Sequence, residues 1–587
     1  MAVEAKILPQ LPTEILVKIL CCDTVSHVDI CRLAFTCHRM RDICLTENIW
    51  KCKFFQCWPN VLPKTKYHMP VAWRKLFIRH YTCIQNVNRF LQNLAEICYN
   101  YEEVPPDKFH IILQYIDEDE NNRDFITSYL HLIASDPVEN LTKKYYAGKT
   151  LQHIQHHSLS KAWHSYLSLP INEQKLEIGT IYMHNWHCFL ETTNIEDILQ
   201  KLDTLAYEVK KELAKFRPDH PTLGKEDLYD TIDTNLWNPT DTRDILIAMN
   251  NILYKKHRFH AEEYSSMDLL NINKVLISKR CLRWIVTVIY QSVARRLGVL
   301  LEPIPPFMQL LRWQEHPNEQ ASYKQYTYLN TNESGRFLSE TQCYHLHNEE
   351  VVIPPRRWFH NIATKLLRVG RIAEGQLMVR NYMKLAILLD PEDLDMLAVW
   401  VEYNVSANVN LEQVLISAQR LLCSEVQRFQ CLGKRLIHRI EEELAKDGES
   451  KPEALIPRRR ADNQEVEFSV GLIMKHKRYD YMCVITGWDK KCMASQEWIL
   501  GMDVDRLQNQ RNQPFYDVLV NDGSNRYAAQ ENLCMPDHGE MIQHNETGRY
   551  FQKFCDNYYF PNEQTMTKYP DDLAVTQQII QTHYGCL

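Results

Sequence analysis

Residues 11–20 read LPTEILVKIL, and this stretch sets the organisation of the N-terminal part of the chain. Pro12 suits the first turn of a helix, where a missing N–H costs nothing. Glu14 lies in the same turn, where the helix dipole favours an anion. The stretch therefore predicts a short amphipathic helix. Its apolar face consists of Ile15, Leu16, Ile19 and Leu20.

Two further apolar segments follow, at residues 28–35 and 43–50, with a basic turn at residues 38–41 between them. Three helices of about ten residues bury too little surface to hide all of these side chains among themselves. Two interpretations follow. The first helix docks on the next domain of the same chain, or it is an exposed anchor for a groove on a partner.

The pattern LP-T-EIL-x-x-IL, followed by Asp29, Leu33, the run Cys37-His38-Arg39-Met40 and finally Trp50, resembles an F-box. That resemblance covers about fifty residues and implies docking onto the Skp adaptor of a cullin-RING ubiquitin ligase. It implies these contact residues: Leu11, Pro12, Ile15, Leu16, Ile19, Leu20, Leu33 and Trp50.

Composition narrows the class of protein. The chain has 587 residues, 45% apolar and 24% charged, which is ordinary for a globular protein of several domains. No secretory leader and no membrane span are expected, and the 19 cysteines predict reduced thiols in the cytosol, the nucleus or both. No cofactor is expected. No metal site is expected either, because Cys52 and Cys57 lack a matching pair. The histidines at 153, 156 and 157 are expected on a helix surface.

Residues 283–297 predict a core helix that ends at Gly298 in a left-handed cap. The segments "LD-x-LA", "LN-x-VL" and "VARRLGV" resemble the SirB-type transglutaminase-like domain, over residues 201–345. That family's active members carry a Cys–His–Asp triad. Alignment on Leu297-Gly298 places Arg283, Met308 and Asn330 at those three positions. The resemblance therefore implies an inactive binding scaffold, and the alternative is an enzyme using Cys281 with His316.

Residues 346–447 resemble tetratricopeptide-like helix pairs, with a break at Gly370, and two pairs are too few to stand alone. They are expected to pack on the preceding domain. Residues 448–465 are polar and predict a linker. The arginines at 458–460 within it are expected to be solvated.

After residue 465 the apolar period changes from helical to alternating, as in FSVGLIMKHKRYDYMCVITGWD (468–489) and QPFYDVLVNDG (513–523). Short strands at this spacing predict a small antiparallel β-barrel. The motifs Tyr481-x-x-Val484-Ile485-x-Gly487-Trp488-Asp489 and 527–533 resemble the HspQ/YccV family, called hemimethylated-DNA-binding-like, over residues 466–560.

The family label suggests DNA, but charge argues against it. From Pro457 to Leu587 the chain carries 14 Lys and Arg against 18 Asp and Glu, a net charge of −4, whereas phosphate binding needs clustered cations. Bacterial members of the family also deliver substrates to proteases, so a protein-binding surface is favoured. Most of the candidate aromatics are expected in the core and the remainder on a binding face. They are Tyr479, Tyr481, Trp488, Trp498, Phe515 and Tyr516.

Together these patterns predict a multidomain α+β protein, mostly helical, followed by a small antiparallel barrel. The expected order is an F-box (1–60), a helical connector (61–200), the transglutaminase-like domain, the helix pairs, the linker, the HspQ-like barrel and a tail (561–587). We expect a non-catalytic substrate-recognition subunit of a Skp–cullin–F-box ubiquitin ligase with protein substrates. The alternatives are a DNA-binding module and a cysteine-dependent transglutaminase-like or protease-like enzyme.

Overall fold

The computed structural model describes residues 11–59, 72–101, 103–117, 120–225, 228, 234–262, 267–304, 309–315, 326–338, 353–373, 375–449 and 456–585. Helices dominate up to residue 449, and an antiparallel sheet follows, which confirms the α+β fold class. Within the described residues no helix is both long and apolar enough to cross a membrane.

Four helices, rather than three, form the N-terminal unit, and they are α1 (Thr13–Leu20), α2 (His27–Ala34), α3 (His38–Cys44) and α4 (Glu47–Cys57). Ser26 and Asp29 begin α2 with a reciprocal capping box. The indole N–H of Trp50 donates to the Cys44 carbonyl oxygen (2.8 Å). The unit is closed by the next helix, α5 (Trp73–Ile97), whose Phe77 packs edge-on against Trp50 with ring centroids 5.1 Å apart.

The connector continues from α5 through α6 (His110–Asp117), α7 (Glu120–Ser135), α8 (Leu141–Ser168) and α9 (Leu176–His187). His153 and His156 of α8 lie between helices rather than on a free surface. His153 stacks on Phe109 at 4.1 Å and His156 stacks on Trp186 at 4.2 Å. The surface expectation for these two side chains was wrong, because an aromatic partner outside their own helix covers each ring.

One apolar core extends from the end of α8 to α16 and surrounds α13 (Arg283–Arg296). Gly298 follows α13 with a φ of +84°, which confirms the left-handed cap. A four-stranded antiparallel sheet lies beside α13, in the order β3-β4-β5-β6. The elements of this region are α10 (Ile195–Phe216), α11 (Pro239–Asn250), β1 (His260–Glu262), α12 (Ile272–Ser278), β2 (Arg280–Leu282), α13, β3 (Glu302–Pro303), β4 (Leu310–Gln314), β5 (Tyr326–Asn330) and β6 (Arg336–Leu338).

The next helices pack on this core, as the sequence predicts, through Trp358 and Phe359. The break expected at Gly370 is absent, because α14 runs unbroken from Pro355 to Ala373. The remaining helices form a smaller cluster of their own. The helices of this region are α14, α15 (Gly375–Leu389), α16 (Leu394–Ser406), α17 (Leu411–Leu422) and α18 (Gln427–Glu449).

The C-terminal module is a five-stranded antiparallel sheet in the order β10-β9-β8-β7-β11, with a separate hairpin β12-β13. The two outer strands of the five, β10 and β11, do not pair, so the closed barrel expected from the sequence is an open sheet here. The hairpin joins the sheet by a bridge between Leu472 and Tyr558. The elements are β7 (Ile473–His476), β8 (Met482–Asp489), α19 (Gln496–Gly501), β9 (Phe515–Val520), β10 (Asn525–Ala529), β11 (Leu533–Cys534), α20 (Thr547–Tyr550), β12 (Phe551–Cys555), β13 (Tyr558–Pro561), α21 (Glu563–Lys568) and α22 (Asp572–Tyr584).

Two of the three arginines at 458–460 are structural rather than solvated. Arg460 forms an ion pair with the buried Asp572 (2.7 Å) and donates to two backbone carbonyl oxygens of the module. Arg458 pairs with Asp489 (2.9 Å). The polar run at 448–465 therefore ends in contact with the C-terminal module, because two of its arginines pair with Asp489 and with the buried Asp572.

Candidate functional site

The predicted adaptor contacts divide into buried and accessible side chains. Leu16, Leu20 and Trp50 lie in the core of the N-terminal unit, so they maintain its fold and are not available to a partner in this conformation. Leu11, Ile19 and Leu33 are half-buried, and Pro12 is exposed. Ile15 is 43% exposed, so it is the apolar side chain of α1 best placed to enter a groove. The docking role stays a prediction for these accessible residues.

The unit also exposes an aromatic residue that the sequence did not single out. Phe35, just after α2, is 91% exposed, and Val28 at the start of α2 is 40% exposed. Exposed apolar side chains on so small a unit are typical of a surface that a partner covers. The available signal was the apolar run of residues 28–35, which contains more large side chains than one helix face can bury.

The beginning of α13 carries no activated cysteine. Arg283 is the first residue of α13, at the position where the active members of the family place their nucleophile. Cys281 lies in β2, is fully buried, and donates its thiol hydrogen to the His260 carbonyl oxygen (3.6 Å). Burial raises the pKa of the Cys281 thiol to about 12. The thiolate that would act as a nucleophile is therefore strongly disfavoured.

Among the described residues, the other two triad positions provide no general base. Asn330 donates from its amide to Glu333 (2.9 Å) and accepts from the backbone N–H of Asn332 (3.1 Å), so its side chain caps a turn. Met308 and His316 lie outside the described residues. In the described part of the chain no cluster of three His, Cys, Asp or Glu side chains could hold a metal ion.

A cleft of about 880 Å³ lies on one face of the C-terminal sheet, and we call it the sheet cleft. Its floor comes from β8, β9 and β10. Further lining residues come from α19, from the turn after α5 and from the segment around α21. The lining of the sheet cleft includes Tyr99, Arg478, Tyr479, Tyr481, Gly487, Trp498, Phe515, Asp517, Arg526, Tyr527, Lys568 and Tyr569.

Of the six candidate aromatics, three are core residues and three are accessible from the cleft. Trp488, Phe515 and Tyr516 are almost fully buried, and the Tyr516 hydroxyl donates to Gln530 (2.6 Å). Tyr481 and Trp498 are half-buried, whereas Tyr479 is 62% exposed. Alternation along β9 explains the division, because Phe515 and Asp517 face α19 and the cleft while Tyr516 faces the main core.

The charged floor of the sheet cleft was missed by the sequence reasoning. Asp517 lies on β9 opposite Gly487 of β8 and Tyr527 of β10. Burial, and then the charge of Asp489, raise the pKa of the Asp517 carboxyl. The signal was present in Phe515-Tyr516-Asp517-Val518-Leu519-Val520, where one acidic residue interrupts an apolar strand.

The cleft is joined to the connector by buried polar contacts. The Tyr99 hydroxyl lies 3.1 Å from the Thr565 hydroxyl, and the Arg549 guanidinium donates to the Tyr99 carbonyl oxygen (2.9 Å). The Thr142 hydroxyl of α8 donates to the Phe551 carbonyl oxygen (3.0 Å). These bonds fix the C-terminal module against α5 and α8.

Comparisons with known proteins agree with the three resemblances drawn from the residues. Residues 8–56 match the family model described as F-box-like, and residues 196–368 match the transglutaminase-like superfamily. Residues 466–558 match the family described as hemimethylated DNA-binding protein YccV like. The prediction of these three kinds of domain is confirmed.

Relatives extend over nearly the whole chain. F-box only protein 21 of Pongo abelii is 29% identical over 599 aligned residues, which cover 98% of this chain and 94% of the relative. F-box only protein 21 of Homo sapiens and of Mus musculus are each 28% identical, with the same shares covered. No solved structure matches the chain significantly. The chain is therefore similar to F-box only protein 21 over 98% of its length.

Proposed function

We propose that this protein is the substrate-recognition subunit of a Skp–cullin–F-box ubiquitin ligase. The F-box-like match over residues 8–56 carries the proposal, and the accessible Pro12 and Ile15 on α1 support it. The Skp adaptor binds this N-terminal unit, and target proteins bind the downstream modules. The similarity to F-box only protein 21 along the chain adds support.

The proposed mechanism is proximity. The F-box attaches the chain to the ligase core, and the downstream modules hold a target lysine near the ubiquitin-loaded enzyme. Binding at two sites raises the effective concentration of the target at the ligase. Ubiquitination and degradation of the target follow, and this chain contributes no acid–base chemistry. We propose that it works in the cytosol, the nucleus or both, as the cysteine pattern predicts.

The state of Cys281 supports a non-catalytic role. A cysteine nucleophile needs a lowered pKa and access to substrate, and Cys281 has neither, because it is buried and its pKa is raised. The transglutaminase-like region then acts as a scaffold that supports the connector and the helix pairs. The cysteine-enzyme alternative would require a rearrangement that brings this thiol to the surface.

One observation keeps nucleic acid as a second candidate. The sheet cleft combines aromatic rings with Arg478 and Arg526, which is also the composition of single-strand binding surfaces. Two observations oppose it. Arg526 is already paired with Asp522, and the carboxylate of Asp517 on the floor would repel a phosphate.

A pull-down with purified Skp adaptor and cullin core tests the ligase proposal. Ile15→Asp is expected to weaken capture about ten- to hundredfold, because a buried aliphatic anchor contributes about 1.5–3 kcal/mol. Ile247→Asp on α11 is the matched control, since Ile247 is 44% exposed and Ile15 is 43% exposed. Capture of the parent and of the control, but not of Ile15→Asp, is the expected result. Failure to capture the parent chain contradicts the proposal.

A further inference from the structure

We propose that the sheet cleft recognises a peptide segment presenting a lysine or arginine side chain, whose cationic head pairs with Asp517 between the aromatic walls. The inference rests on the proposed function only in assigning that peptide to a ligase target. It gives the substrate site a chemical class, which none of the family resemblances supplies.

The Asp517 carboxylate is accessible from the sheet cleft. Asp517 is the one exposed side chain of β9, in a strand whose other residues are buried. Gly487, opposite it, leaves the floor open. A Cβ at Gly487 would lie 3.1 Å from Asp517 Oδ2 and 2.9 Å from the Tyr569 hydroxyl. A larger residue there would therefore fill the space above the carboxylate.

The Asp517 carboxylate has no partner among the described residues, whereas the nearby Asp489 carboxylate has two. Asp489 accepts from the Tyr527 hydroxyl (2.7 Å) and pairs with Arg458 (2.9 Å). Asp517 has neither a hydrogen bond nor an ion pair from its side chain in that part of the chain. Because Asp517 is exposed to the cleft and unpaired, a cationic ligand there gains a charge-assisted hydrogen bond to its carboxylate.

Two cations of the protein, Lys568 and Arg458, lower the pKa of Asp517, so both lie near it. Arg458 is paired with Asp489 instead. The Lys568 ammonium nevertheless lies over the Tyr569 ring, 5.7 Å from its centroid, and forms no ion pair with Asp517.

Aromatic side chains line the sheet cleft near Asp517. Tyr527 stacks on Phe515 at 5.1 Å, and Trp498 meets Tyr527 edge-on at 5.7 Å. Tyr527 and Trp498 are half-buried and present ring surface to the cleft, whereas Phe515 and Tyr569 are almost fully buried. Such walls attract an ammonium or guanidinium through cation–π contacts and pack against the methylene stem. The same walls would add little for a carboxylate or a phosphate.

The size of the cleft favours a peptide over a free cation. About 880 Å³ lies at the upper end of the range of ligand pockets, and the space extends from Asp517 to Tyr479 and Tyr481. A single side chain fills only one end of it. The other end, with Arg478 and the exposed Tyr479, would contact the flanking residues of the same segment.

Fluorescence polarisation on the full chain tests the inference. The probes are fluorescein-labelled heptapeptide pools with randomised flanks and a central lysine, arginine, norleucine or glutamate. We expect the lysine and arginine pools to bind about ten- to hundredfold more tightly than the norleucine pool, the range of a charge-assisted hydrogen bond. Asp517→Asn should abolish that preference, and a thermal melt of the variant reports whether the module is still folded.

Asp480→Asn is the matched control. It removes one carboxylate from the turn between β7 and β8, where the Asp480 side chain is 81% exposed and paired with Lys475. Its φ of +57° is one that asparagine tolerates. The preference for lysine and arginine should survive in this variant. Loss of the preference in Asp480→Asn would mean that bulk charge, rather than the cleft, selects the peptide, and would overturn the inference.

Three other results would also overturn it. They are equal binding of the norleucine pool, displacement of the lysine pool by spermidine at equal concentration, and duplex DNA binding that Asp517→Asn strengthens. The adaptor pull-down separates the two proposals on the same preparation. Adaptor capture without a peptide preference overturns only the inference, and a peptide preference without adaptor capture overturns only the ligase assignment.

Discussion

Replacing Arg296 with methionine should destabilise the central core more than any surface change. Arg296 at the end of α13 pairs with Glu177 of α9 (3.2 Å) and with Asp203 of α10 (2.6 Å). The side chains of Arg296 and Glu177 are only 4% and 1% exposed. The Ser292 hydroxyl also donates to Glu177 (2.6 Å). Arg296→Met removes the guanidinium that is paired with the buried Glu177 carboxylate.

The expected cost follows from this burial. Removing one partner of a buried pair costs about 3–5 kcal/mol, because the other charge stays uncompensated. Glu177→Met should cost less, about 1–3 kcal/mol, because Arg296 keeps Asp203, which is 65% exposed and solvated. Replacing both residues with methionine also removes the buried Glu177 carboxylate. The double variant should therefore recover most of the loss, as apolar replacements of buried pairs do.

Urea unfolding followed by tryptophan fluorescence measures this, since Trp163, Trp186 and Trp284 lie in the same core. The midpoint should be lowest for Arg296→Met, intermediate for Glu177→Met and near the parent for the double variant. Arg435→Met, whose side chain is 72% exposed, is a control for the loss of one arginine. A double variant as unstable as Arg296→Met would refute the reasoning, because the loss would then come from packing.

Two further predictions concern titratable groups. In the native chain Cys281 should react with iodoacetamide far more slowly than the exposed Cys423, because Cys281 is buried and its pKa is raised to about 12; faster labelling of Cys281 would restore the cysteine-enzyme alternative. Burial lowers the pKa of His153 to about 4 and of His156 to about 3, from 6.5. Because the unfolded chain takes up protons at a higher pH than the folded chain, the free energy of unfolding should fall from about pH 6.5 down to about pH 4 for His153 and about pH 3 for His156. His156→Gln should flatten that slope in urea titrations at several pH values, and His164→Gln, on the exposed side of α8, should leave it unchanged.

Local patterns predicted the helices, the Gly298 cap and the three kinds of domain, since these depend on residues close together in sequence. Periodicity could not decide which of the adjacent Ile15 and Leu16 faces inward, because that depends on where α3 and α4 pack. Arg460 was taken as solvated because its partner, Asp572, lies more than a hundred residues away.

The floor of the sheet cleft illustrates the same limit. The alternation of β9 is visible in the sequence, but the residues that surround Asp517 come from segments that lie far apart in the chain. Tyr99 reaches the cleft from the connector and Tyr569 from the C-terminal end. The strand pattern in the sequence also does not determine whether the sheet closes, because each hairpin has the same pattern in a closed barrel and in an open sheet.

The helix α5 has a consequence for the choice of target lysine. Its first turns pack on the N-terminal unit through Phe77, and the turn after its last residue places Tyr99 in the wall of the sheet cleft. Its 25 residues make it about 37 Å long. In the proposed ligase this helix fixes both the distance and the rotational orientation between the N-terminal unit and the sheet cleft. The lysines of a bound target would then be chosen by their distance from the bound segment, and the sequence around each lysine would matter little.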